Sequence, residues 1–136
     1  MMKRSVLLLT LLTLCLSVLP SQAETQGDFA YVVSGGKAKI TAYTGSLSEL
    51  TLPDTLGGYP VTAIGACALR NCTALTRVEI AQGIETIGSN AFQNCTSLLQ
   101  IVIPDSVTKI DTHAFYRCPA LKQIELHVDC LKENRQ

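Results

Sequence analysis

The chain lacks an excess of charge of either sign. It carries 11 basic and 11 acidic residues among 136. Two of the basic residues, Lys3 and Arg4, lie in an N-terminal leader, so the rest of the chain has a net charge of about −2. Binding to a phosphate backbone needs a dense basic surface, which this slightly acidic composition does not favour. No nucleic-acid partner is therefore expected.

Long apolar runs are missing after residue 24, so no membrane-spanning segment is expected beyond the leader. Catalytic signatures are missing as well. His113 falls in a predicted surface turn, and His127 follows a strand with no evident base or nucleophile as a partner. Glycine pairs occur only in turns, and Cys67 with Cys72 lacks the second ligand pair of a structural zinc site. The sequence therefore predicts no enzyme, no cofactor and no metal.

The single long apolar run is typical of a secretory signal peptide. It spans residues 5–19, and the small residues Ser21 and Ala23 occupy the two positions that a signal peptidase recognises before residue 24. A membrane anchor is the alternative, but a spanning helix needs about 20 residues. A lipoprotein would use Cys15, which lacks a small residue before it. We expect cleavage after Ala23, with residues 1–23 as the signal peptide and the protein secreted.

The main signal is an internal repeat of 23 residues, found in eight columns of apolar or thiol residues. One such unit cannot bury its apolar face alone, whereas stacked units share a continuous core. The columns are Leu75, Leu98 and Leu121; Cys72, Cys95 and Cys118; Ile64, Ile87 and Ile110; Ala68, Ala91 and Ala114; Leu69, Phe92 and Phe115; Val61, Ile84 and Val107; Val78, Ile101 and Ile124; Ile80, Ile103 and Leu126.

Local patterns predict the parts of each repeat. The alternation within residues 75–80 predicts a strand with one buried face, and residues 84–87 offer a second β-branched piece. Ala, Phe and Cys within residues 90–95 are spaced for a single helical or 3₁₀ turn. Before the repeats, residues 29–43 predict a β-hairpin with a Gly-Gly turn that caps the open end of the stack. The connection over residues 54–60 is longer than in later repeats.

Specific phrases resemble a known family. Val61-Thr62-Ala63-Ile64-Gly65 and Ile103-Pro104-Asp105-Ser106-Val107-Thr108-Lys109-Ile110, followed by Ala114-Phe115 and Cys118, resemble the BspA-like leucine-rich repeats, also called the treponemal or type 5 class. The resemblance covers residues 28–126. It implies a secreted or cell-surface bacterial protein, and larger members are linked with adhesion to host proteins or other bacteria.

The expected architecture is therefore mainly β, a leucine-rich-repeat solenoid with short helical or 3₁₀ turns. We assign residues 24–46 to the capping hairpin, 47–130 to the solenoid and 131–136 to a C-terminal tail.

The cysteines are predicted to be structural. Cys72, Cys95 and Cys118 share one repeat position, where parallel side chains favour a column of buried, reduced thiols over disulfides. A bond that involves Cys67 or Cys130 stays open. Asn residues precede the first two thiols of the column and match glycosylation sequons, but a turn role is the preferred interpretation.

The outward strand positions are the candidate binding residues. Most are polar, with an apolar spot in the middle repeat that is typical of a small contact patch. The leading hypothesis is a protein-binding or adhesion module whose partner is a host or bacterial surface protein. The alternative is a structural repeat fragment or cap that assembles with other repeat units, without binding activity of its own. The candidate residues are Thr76, Arg77, Glu79, Leu99, Gln100, Val102, Lys122, Gln123 and Glu125.

Overall fold

The computed structural model describes residues 22–127 as a stack of coils built from eleven short β-strands, and this part of the chain contains no α-helix. None of its elements is therefore a helix long and apolar enough to cross a membrane. Nearly all of the predicted signal peptide, Cys130 and the predicted tail lie outside the described residues. The strands are β1 (Ala23–Gln26), β2 (Phe29–Ser34), β3 (Lys37–Tyr43), β4 (Glu49–Thr51), β5 (Thr55–Leu56), β6 (Tyr59–Ile64), β7 (Arg77–Glu79), β8 (Thr86–Ile87), β9 (Gln100–Pro104), β10 (Lys109–Ile110) and β11 (Gln123–His127).

Two sheets run along the stack, and the repeats add strands to both of them. One sheet has the order β1-β2-β3-β6-β8-β10 with β5 attached to β6, and the other has the order β11-β9-β7-β4. All strands of the second sheet are parallel, with Arg77, Gln100 and Gln123 in register. Equivalent residues of successive coils therefore stack about 4.8 Å apart. The predicted mainly β solenoid with a 23-residue repeat is confirmed.

The N-terminal end carries the predicted hairpin and one further strand. β2 and β3 pair antiparallel through a turn in which Gly35 and Gly36 both have positive φ, as a two-residue hairpin turn requires. β1 adds to the outer edge of β2. All four residues of β1 are exposed and show no apolar alternation, which explains why the sequence pattern did not reveal it.

The longer first connection folds into a small hairpin. β5 pairs antiparallel with the start of β6 through Gly57 and Gly58, which both have positive φ. Leu56 is buried, so the extra residues add to the core and do not form an open loop.

The core lies between the two sheets, and its burial depends on position along the stack. Ile64 and Ile87 are at most 1% exposed, but Ile110 in the same column is 48% exposed. The expectation that Ile110 belongs to the core is therefore wrong, because no further coil within the described residues covers it. Phe115 and Leu121 are only half-buried for the same reason.

The segments that join β6 to β7, β8 to β9 and β10 to β11 contain isolated turns and no helix. Bonds such as the one from Ala91 N to Gly88 O (3.2 Å) span three residues, but residues with positive φ interrupt them before a helix can continue. Alternate N–H groups then donate to the next coil, as Phe92 N does to Ala114 O at 2.8 Å. We call this stack of segments the turn column. Its residues with positive φ are Cys67, Asn71, Asn90, Asn94, His113 and Arg117.

Candidate functional site

The outward face of the four-stranded sheet brings all nine candidate binding residues together. The strand register places Arg77, Gln100 and Gln123 in one row and Glu79, Val102 and Glu125 in a second row. Thr76, Leu99 and Lys122 form a third row just before the strands, where Leu99 N donates to Thr76 O at 2.8 Å and Lys122 N donates to Leu99 O at 3.0 Å. We call this surface the strand face.

Strand β4 extends the strand face by residues that the sequence interpretation missed. Glu49 lies beside Arg77, and Thr51 lies beside Glu79. The step from Glu49 to Arg77 is five residues longer than the repeat period because the β5 hairpin is inserted there. The alternation around Leu50 and Leu52 carries the needed signal once that insertion is allowed for.

The apolar part of the strand face is centred on one side chain. Leu99 is 49% exposed, whereas Val102 is half-buried between Glu79 and Glu125 in its row. The contact patch is thus a single leucine within a polar surround, narrower than the two-residue spot expected from the sequence. An isolated exposed leucine is ordinary on protein surfaces, and its flat, strand-borne setting is what singles it out here.

Hydrogen bonds restrain one side of the strand face. Gln100 Nε2 and Gln123 Nε2 each donate to Glu125 Oε1 at 2.7 Å. This carboxylate is therefore held by two amides on neighbouring strands. Preorganised acceptors of this kind lose little side-chain entropy when a partner binds.

The other side of the strand face is less restrained. Arg77 Nη2 lies 3.9 Å from Glu79 Oε2, with both side chains about half exposed, and exposed pairs at such distances contribute little. Arg77 Nε is buried without a hydrogen-bond partner among the described residues. The Arg77 side chain as a whole is 44% exposed, so its terminal guanidinium nitrogens, and not the buried Nε, can donate to a carboxylate or carbonyl oxygen supplied from outside.

The hollows of the strand face are shallow. One of about 240 Å³ is lined by Glu49, Thr51, Arg77 and Glu79, and a second of about 140 Å³ lies between Glu79, Val102, Pro104 and His127. Small-molecule sites usually enclose about 300–1,000 Å³. The geometry is better suited to the surface of another protein than to a small ligand.

The two histidines of the described residues are both exposed. His113 is an exposed residue of the turn column with φ 59°, and its ring meets the Tyr116 ring edge-on at 5.4 Å. His127 ends β11 and is exposed. Within residues 22–127, no group of three or more His, Cys, Asp or Glu side chains is arranged to hold a metal ion.

The thiol column is partly as expected. Cys72, Cys95 and Cys118 are free, as is the exposed Cys67. Cys95 Sγ donates to Leu69 O at 3.1 Å, and Cys118 Sγ donates to the equivalent carbonyl one coil later at 3.0 Å. The Cys95 and Cys118 thiols thus point to the backbone of the preceding coil and not to another sulfur.

Burial of the thiol column differs from the expectation at both ends. Only Cys95 is buried, and burial raises its pKa from 9.0 to about 12. Cys72 and Cys118 are half-buried, with smaller increases in pKa from the same cause. Cys72 borders an open hollow of about 270 Å³ beside Leu47, because the preceding segment covers it incompletely.

The repeat and its geometry match a known family model. The model of the BspA type leucine rich repeat region (6 copies) matches residues 38–134, which is more than half of the chain. The chain belongs to the BspA-type leucine-rich repeat family.

Solved structures of bacterial repeat proteins are similar to this BspA-type chain. The T. pallidum leucine rich repeat protein TpLRR is 31% identical with a TM-score of 0.71, and the match covers 76% of this chain and 49% of that one. A leucine-rich repeat protein from Bacteroides ovatus is 30% identical (TM-score 0.66; 74% and 28% covered). A leucine rich cell surface protein from Faecalibacterium prausnitzii is 28% identical (TM-score 0.59; 82% and 44% covered).

The BspA-type chain spans less than half of the length of each of these three structures. No curated protein matches it. The comparisons thus show the family and the solenoid, while partners and activities are matters for experiment.

Proposed function

We propose that the chain is exported and acts at or outside the bacterial cell surface as a protein-binding module, with the strand face as its contact surface. The observation that carries this proposal is the in-register polar surface around Leu99, built on four parallel strands. A rigid sheet presents such side chains at little entropic cost. The leader sequence supports export, and the description of the F. prausnitzii relative as a cell surface protein agrees with it.

The partner class follows from the chemistry of the strand face. Leu99 offers an apolar anchor, Arg77 offers the donors of its exposed terminal guanidinium nitrogens, and Glu125 offers a restrained acceptor. A protein surface with an apolar residue flanked by a carboxylate and by backbone N–H groups complements these three features. Host extracellular-matrix proteins and surface proteins of neighbouring bacteria are the sources to test.

The experiment is a solid-phase binding screen against those two sources with matched variants. Leu99→Asp should weaken binding to any partner found by about 30-fold or more, since central apolar anchors contribute about 2 kcal/mol. Tyr116→Asp is the control, because Tyr116 has a similar exposure of 46% but lies in the turn column. Equal binding of both variants to a captured partner would show that the strand face is not the contact surface.

A further inference from the structure

The C-terminal end of the described solenoid has the character of an interface. Val78 and Ile101 are fully buried, but Ile124 in the same column is 53% exposed. Ile80 and Ile103 are at most 4% exposed, but Leu126 is 70% exposed. In every earlier coil, the side chains at these positions are covered by the coil that follows. The exposed side chains at this end therefore form a surface suited to contact a further coil.

Backbone groups at this end also lack partners within the described residues. Gln123 N donates to Leu99 O, toward the preceding coil. Because alternate residues of a parallel strand bond to opposite sides, the N–H groups of Ile124 and Leu126 point away from the stack. In β10, Lys109 N and Asp111 N likewise donate to the preceding coil, which leaves Ile110 N directed outward. Edge strands of this kind pair readily with another strand.

We propose that the occupant of this surface is a second copy of the chain, joined tail to tail about a twofold axis that crosses β10 and β11. The axis pairs β11 with its twofold mate and β10 with its own mate, both antiparallel. Ile124 and Ile110 form the central pairs, since their N–H groups face outward. The arrangement is closed, because a twofold contact uses the same surface of both copies and leaves no further copy of that surface exposed.

The side chains that flank the two central pairs are complementary across this axis. Around Ile110, Lys109 of one copy faces Asp111 of the other; within one chain these groups already lie 3.1 Å apart. Around Ile124, Gln123 of one copy faces Glu125 of the other, a pair that also bonds within one chain at 2.7 Å. Each strand is therefore complementary to an antiparallel copy of itself. A different occupant would not require this self-complementarity.

The test is the mass of the purified chain by light scattering and sedimentation over a range of concentrations. We expect a dimer that Leu126→Lys weakens by about tenfold or more, since in this register residue 126 of one copy lies opposite Lys122 of the other and the variant sets two like charges face to face. Leu99→Lys is the matched control and should leave the dimer intact, because Leu99 is exposed on the strand face. Because Gln123 and Glu125 belong to both surfaces, the two proposals are separated by Leu99 and Leu126, each of which belongs to one surface only.

A charge-reversal pair tests the twofold arrangement itself. Lys109→Asp places two carboxylates opposite each other and should weaken the dimer by about tenfold. Combining it with Asp111→Lys restores the complementarity and should return the dissociation constant to within about twofold of the original. A monomer at all concentrations, as expected if another segment or protein covers this end, would overturn the proposal. So would a dimer that Leu126→Lys does not weaken, or a double variant that does not recover.

Discussion

The two ends of the described solenoid show what determines burial in this fold. At the N-terminal end, β1, β2 and β3 extend the first sheet, and Ile40 within β3 is fully buried. At the C-terminal end, Ile110 and Leu126 occupy core positions of the repeat and are nevertheless exposed. The residue type is the same in both places. Burial in a solenoid is therefore a property of the neighbouring coil, because each unit contacts only those beside it.

The largest expected effect separates a central coil from the last one. Phe92 is fully buried, and Phe92→Ala should lower the free energy of unfolding by about 3–5 kcal/mol. Phe115 stacks on Phe92 with ring centroids 5.4 Å apart but is only half-buried, so Phe115→Ala should cost clearly less. Urea denaturation measures both, with Gln93→Ala as the control. Equal losses for the two phenylalanines would contradict the dependence on the following coil.

A smaller effect is expected in the turn column. Asn94 has φ 62°, and its Nδ2 donates to Asn71 Oδ1 at 2.9 Å. Asn94→Ala should cost about 1–2 kcal/mol, because alanine tolerates the left-handed region poorly and loses this bond. Asn94→Gly keeps the backbone freedom and should recover part of the loss. If the alanine and glycine variants melt at the same urea concentration, the left-handed conformation contributes nothing measurable.

The thiols give the finest comparison along the stack. Native maleimide labelling should be fast at the exposed Cys67 and slower at the half-buried Cys72 and Cys118. Labelling of Cys95 should be slower than that of Cys67 by about a hundredfold, because the buried thiol reacts only after local opening of the fold. Mass spectrometry of peptides reads all four in one sample. Labelling of Cys95 as fast as of Cys118 would show that the middle coil is not closed over its thiol.

The raised pKa of Cys95 also has a consequence for stability. Above pH 9 the unfolded chain loses the thiol proton while the folded chain keeps it up to about pH 12. The unfolded state is thus the one that gains ionisation, and the Cys95 contribution to the free energy of unfolding falls as pH rises through this window. When urea denaturation is measured below and above pH 9, the free energy of unfolding should decrease less in Cys95→Ala than in the parent chain.

The sequence predicts the coils well because the 23-residue period is itself the structural repeat, as the alignment of Arg77 with Gln100 and Gln123 shows. It predicts the composition of the strand face for the same reason. It does not reveal β1, whose polar residues carry no alternation, or the place of Glu49, which lies one residue before the recognisable alternation of Leu50 and Leu52. Exposure at Ile110 depends on which coil lies beside it within residues 22–127 and not on the residue type, so no local pattern encodes it.

The turn column has a direction. In the turns around its residues with positive φ, the bonds between coils run from an N–H group of one coil to a carbonyl of the next, as from Leu69 N to Ala91 O and from Asn94 N to Tyr116 O. Peptide dipoles aligned in this way add together as they do in a helix. These turns are therefore electrically polarised along the stack, with partial positive charge at their C-terminal end beside His113 and Arg117. A carboxylate approaching that end gains from the field.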